Sequence, residues 1–174
     1  KIYDKALAEG HSYSMLDYLC NKVGARLSGS PGAAAAVEWS RHVMEEYGFD
    51  SVWLQPVMVP HWVRGQKEIG RVVNSKKMGT VELSVCALGG SVGTGPEGIT
   101  ASVIEVKSFE ELTALGTKQV QGKIVFFNRP MDPTQLQTFS AYGGAVNQRG
   151  AGASEAAKYG AVGVIVRSMG INPE

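Results

Sequence analysis

Apolar residues in this chain recur first with a helical period and then with a shorter one, and the change of period divides the sequence. Leu16, Leu19, Cys20 and Val23 follow His11–Ser14 at spacings of three and four, and Gly24 stops the run. Ser30 then stands as an N-cap with Pro31 at the first helical position, where a missing N–H costs nothing. Behind it Ala33, Ala36, Val37, Ser40, Met44 and Tyr47 form one stripe. Glu38, Arg41, His42, Glu45 and Glu46 fall away from that stripe, and Gly48 terminates the helix.

From Ser51 the pattern is extended. Val52, Leu54, Val57 and Val59 predict a strand, with Pro56 marking an edge or a bulge. A second strand near Ile69–Val73 is expected to pair with it across the PHWVRGQ turn. Thr80–Leu88 alternates as a strand does, Leu88–Thr100 is a glycine-rich loop, and Ala101–Val106 reads as a further strand. Ser108 with Glu111 makes a capping box for a short helix ending at Gly116. Gly122–Pro130 (GKIVFFNRP) is a buried strand. Asn128–Gly150, with weak periodicity and two prolines, predicts a long polar loop, a length that usually serves a function or covers a partner. A short helix from Gly150 then feeds the strand Val162–Arg167. The change of pattern sets a boundary near Asn74–Met78, with helices and a hairpin in 1–75 and glycine-punctuated, strand-rich sequence in 76–174. The class is α+β.

Composition adds limits. With 44% hydrophobic and 19% charged residues, the chain is able to bury a core. A net charge of +1, with the basic residues scattered, excludes a sustained field for nucleic acid. No apolar run approaches the roughly 20 residues of a membrane span. Cys20 and Cys86 are far apart; a disulfide is open, and two buried free thiols are the favoured reading. The chain starts at Lys1 with no signal-peptide pattern and stops at Asn172-Pro173-Glu174 just after a strand, which reads as a fragment.

Candidate chemistry is sparse. Only His11, His42 and His61 are available to a metal, and none forms H-E-x-x-H. His42 lies one turn from Glu38 and Glu46, the pattern of a solvated helix face. Gly89–Gly93 matches G-x-S-x-G around Ser91. Yet Gly95, Pro96 and Gly98 stand where a helix must begin, and no histidine follows His61. Gly150-Ala151-Gly152 resembles a dinucleotide loop, but Glu155 occupies the third glycine position. Those glycines are better read as letting the helix pack closely on a strand. His61, Trp62 and Arg64 form a polar–aromatic cluster, read as a hairpin end with Trp62 plugging a core. The residues themselves nominate no catalytic, metal or binding group and no cofactor.

Six segments in order resemble the amino-terminal part of carboxypeptidase Q-like exopeptidases. They are Val23–Gly32, Leu54–Gly65, Leu88–Val103, Ser108–Leu112, Gly122–Pro130 and Gly152–Ser168. The resemblance implies an extracytoplasmic exopeptidase (secreted, periplasmic or lysosomal) that uses two zinc ions on dipeptides or short peptides, activating water and polarising the scissile carbonyl. It implies an α/β/α peptidase domain carrying a protease-associated (PA) insert. Residues 1–75 would then be the leading part of the catalytic domain and 76–174 the PA insert. The family's metal ligands match no position here, so the chain alone is expected to be inactive. A fragment that exposes the apolar side of its Pro31–Tyr47 helix is expected to self-associate, giving a homodimer. The alternative is a self-standing module that binds peptide or protein through the Asn128–Gly150 loop.

Overall fold

Ser30 caps its helix as the sequence predicts: its hydroxyl accepts from the Ala33 N–H at 3.1 Å, and the helix, α3, runs Pro31–Glu46. The fold is described for residues 1–170 in a computed structural model; the chain end at Asn172-Pro173-Glu174 lies outside them. Two helices precede α3. Helix α1, Ile2–Glu9, has no counterpart in the predicted pattern, and its amino terminus is held by Asp4 at 2.9 Å. Helix α2, Ser12–Tyr18, continues into a wide π-helical turn, Leu19–Val23, closed by the Gly24 N–H on the Leu19 carbonyl.

The predicted strand at Val52–Val59 does not form: residues 51–69 are irregular. Pro56 and Pro60 each remove a backbone donor, so this stretch has no continuous ladder to offer. The hairpin forms one step later. Strand β1, Gly70–Ser75, pairs antiparallel with β2, Gly79–Leu83, placing Arg71 opposite Glu82 and Val72 opposite Val81. The turn needs a positive φ at Asn74 (58°), and the Ser75 hydroxyl accepts from the Met78 N–H at 3.2 Å. The hairpin carries the chain across the change of sequence pattern. The molecule divides into compact units later, as Lys1–Val92 and Gly93–Glu174.

The second unit is a three-stranded parallel sheet, ordered β3 (Val103–Val106), β4 (Ile124–Phe127), β5 (Gly163–Val166). Parallel neighbours need crossovers. Helix α4, Phe109–Val120, supplies the first, and α5 (Thr138–Ala145) with α6 (Asn147–Ala157) supplies the second. Ser108 caps α4 by accepting from the Glu111 N–H at 3.1 Å, while the Glu111 carboxylate reaches back to the Lys107 N–H at 2.6 Å. Gly116, at φ 59° and ψ −177°, interrupts α4 but does not end it; a side chain there would be strained. The predicted Asn128–Gly150 loop is mostly helix, and only residues 128–137 remain irregular. Helix α5 carries Gly143 and Gly144, so propensity disfavours it. Burial of Ala141 and Ala145 beside Met131 stabilises it instead.

Val106, Leu112, Val120, Val125, Phe127 and Ala156 form the main core, with Phe109 set edge-on to Phe127 at 5.6 Å. Gly152 allows α6 to approach the sheet: a Cβ there would lie 2.9 Å from the Phe127 ring. That is the packing role read from the Gly150–Gly152 glycines, carried by Gly152; Gly150 faces open space. Among the described residues, every fully buried hydrophobic side chain lies in this second unit.

Candidate functional site

The three histidines are held apart. His11 tilts against Tyr47 with ring centroids 6.4 Å apart, His42 lies 3.4 Å from Glu45, and the His61 ring sits beside Gly29. On α3 the acidic side chains serve Arg41, which bonds Glu38 at 3.0 Å and Glu45 at 2.5 Å. The Glu38 and Glu45 hydrogen bonds raise the Arg41 pKa above its ordinary value. This is the solvated i, i+3 and i, i+4 network that the sequence pattern describes. Among the described residues, no three His, Cys, Asp or Glu side chains come together as metal ligands. The described residues therefore do not fit a dinuclear zinc centre.

Trp62 is not the core plug that the sequence reading makes it. It is half-buried and acts through its edge and face: its indole N–H donates to the Ser91 carbonyl at 3.0 Å, and Arg64 stacks over the ring at 5.1 Å. Arg64 also donates to the Ala87 carbonyl at 2.8 Å and pairs with Glu68. The Glu68 carboxylate accepts from the Ala87 N–H at 3.0 Å. Its own N–H and that of Ala87, then the Arg64 charge, hold Glu68 below the ordinary carboxylate range. This hub fixes Trp62–Glu68 against Ala87–Ser91, so the G-x-S-x-G serine sits in an anchored loop. Glu68 escaped the sequence reading because its partner Ala87 is 19 residues away and offers only its backbone.

Two grooves flank α3. One is bordered by Val37, Met44, Val52, Trp53 and Leu54. The other lies between α2 and α3, which run antiparallel, with Tyr18 stacked on Trp39 at 4.8 Å at one end and His11 against Tyr47 at the other. Cys20 and Cys86 are free, as favoured, but exposed rather than buried, because no core forms around either.

In the second unit, Gln148 is fully buried and clamps one residue. Its amide donates to the Arg129 carbonyl at 2.7 Å, and its oxygen accepts from the Arg129 N–H at 3.2 Å. Beyond this clamp, Asp132 accepts from the Thr134 hydroxyl at 2.7 Å and N–H at 2.9 Å, which lowers the Asp132 pKa. The shaped loop displays Leu136 to solvent at 101% exposure, and the first turn of α5 displays Phe139 at 90%. Gln148 lies within the stretch read as a loop, where a buried side chain was not expected.

No protein-family model matches the sequence. The chain is 41% identical over 162 residues to carboxypeptidase Q of Xenopus laevis, covering 93% of this chain and 32% of that protein. To carboxypeptidase Q of Bos taurus it is 39% identical over 168 residues, and to that of Homo sapiens 37% over 168, in each case covering 97% of this chain and 32% of the relative. The chain thus spans about a third of the length of the curated relatives it matches. A solved structure, a peptidase M28 precursor from Shewanella amazonensis, superposes with a TM-score of 0.79 and 31% identity, over 98% of this chain and 37% of that one. The mixed α+β chain is therefore related along nearly all its length to carboxypeptidase Q, and in fold to an M28 peptidase.

Proposed function

We propose that this chain is the amino-terminal and PA part of a zinc-dependent exopeptidase acting on dipeptides or short peptides, and that it is not catalytic alone. Residues 1–75 are then the leading part of the catalytic domain and 76–174 the PA-type insert. The observation that carries this reading is the contrast between match and packing. Nearly the whole chain aligns with a third of carboxypeptidase Q, while its first unit has helices and a hairpin without one buried side chain. Elements of that kind need a further layer to cover their apolar side. The remaining two thirds of a longer protein would supply that layer, together with the ligands for two zinc ions. The same relationship supports an extracytoplasmic location, and the uncovered stripe of α3 supports a homodimer when the chain stands alone. No helix among the described residues is long and apolar enough to cross a membrane.

Extending the coding sequence to the length of the relatives is expected to give zinc-dependent hydrolysis of dipeptides, with none from the 174-residue chain. Turnover by the short chain, or an extended chain that neither binds zinc nor cleaves dipeptides, would overturn the reading. A second reading, a PA-type module that binds peptide or protein without catalysis, draws on the exposed Leu136 of the shaped loop and Phe139 at the start of α5. Saturable binding of short peptides, lost in a Leu136→Ser/Phe139→Ser variant, supports it; no binding at millimolar peptide rules it out.

A further inference from the structure

The groove between α2 and α3 is lined by two helix faces. His11, Met15 and Tyr18 come from one; Trp39, Glu46 and Tyr47 come from the other. Four of these six carry aromatic rings. The Tyr18–Trp39 pair is stacked, with 13° between the planes, so each ring keeps one face turned away from the other. Aromatic faces carry negative potential and attract cations.

Glu46 gives the groove its charge. Glu45 is taken up by Arg41 and His42, whereas Glu46 has no hydrogen-bond or ion-pair partner among the described residues. It also lies in the last turn of α3, which holds no basic residue. The carbonyl end of a helix carries partial negative charge, so a carboxylate there is unfavourably placed until a cation joins it. Ring faces, an unpaired carboxylate and a helix carboxyl end all select the same ligand charge.

We propose that the α2–α3 groove binds a small organic cation, a quaternary ammonium, between Glu46 and the faces of Trp39 and Tyr47. The inference uses only residues of this chain and does not rest on the peptidase reading above. The test uses the full 174-residue chain. The ligands are choline and its uncharged isostere 3,3-dimethylbutan-1-ol, followed through the Trp39 indole resonance. Choline is expected to move that resonance and to bind at least about three-fold tighter than the alcohol. Glu46→Gln, at an exposed helix end, is expected to weaken choline binding about three- to ten-fold without changing the rest of the spectrum. Equal binding of the alcohol, an unmoved Trp39 signal, or unchanged affinity in Glu46→Gln would each overturn the site. Tighter binding of N-acetyl-lysine amide, a primary ammonium, than of choline would overturn the assignment to a quaternary ammonium.

Discussion

The two units use similar amounts of regular structure and differ in what that structure encloses. In Gly93–Glu174, α4 and α6 pack on a parallel sheet and close a core around Phe127, Val125 and Val106. In Lys1–Val92, α3 has a serine N-cap as α4 of the second unit does, yet Val37 and Met44 remain 47% and 48% exposed and Trp53 75%. Local signals suffice to form a helix. They do not decide whether its apolar face meets anything, and most helical stability in proteins comes from that meeting.

Substitution should expose the contrast most sharply at the centre of the core. Phe127→Ala is expected to destabilise the second unit by about 3–5 kcal/mol, as loss of a buried aromatic does. Met44→Ala on α3 is expected to cost under about 1 kcal/mol, because a half-exposed side chain has less to lose. Denaturant titrations followed by circular dichroism measure both, and similar losses would erase the distinction between the units.

Gln148 comes next. Gln148→Leu keeps the bulk but strips the Arg129 N–H and carbonyl of their partner, at a cost of about 1–3 kcal/mol. Because the clamp anchors the start of the 128–137 loop, amide exchange in that loop should rise in the variant. Unchanged stability and exchange would show that water replaces the amide.

The smallest effect is that of pH, and it reaches both units. Asp132 and Glu68 are both held below the ordinary carboxylate value by the hydrogen bonds they accept. Folding therefore gains from their ionisation above about pH 4, and the gain is lost as pH falls through their lowered values. Chemical shifts of the Thr134 and Ala87 amides, followed from pH 6 downward, should hold steady past pH 4 and move only below it. Movement centred at or above that pH would contradict the hydrogen bonds described.

The legible parts of the fold were those written locally. Ser30-Pro31 announces α3, Ser108 with Glu111 announces α4, and the apolar runs at Ile124–Phe127 and Gly163–Val166 announce strands. What was misread depended on distant partners. Val52–Val59 alternates like a strand but carries Pro56, is followed by Pro60, and finds no ladder. Helix α5 is hidden by Gly143 and Gly144, since its helical state rests on Ala141 and Ala145 packing near Met131. Cys20, Cys86 and Trp62 were read as interior by residue type, which presumes a core that the first unit does not build. The candidate sites were less legible still. Glu68 acts on a backbone 19 residues away, and the α2–α3 groove arises only when two helices lie side by side.

Native-state hydrogen exchange on the 174-residue chain tests the central contrast most directly. The account predicts that amides of β4 and α6 exchange only through global opening of the second unit, while those of α3 exchange orders of magnitude faster, through local opening. Protection of α3 equal to that of β4 would contradict it.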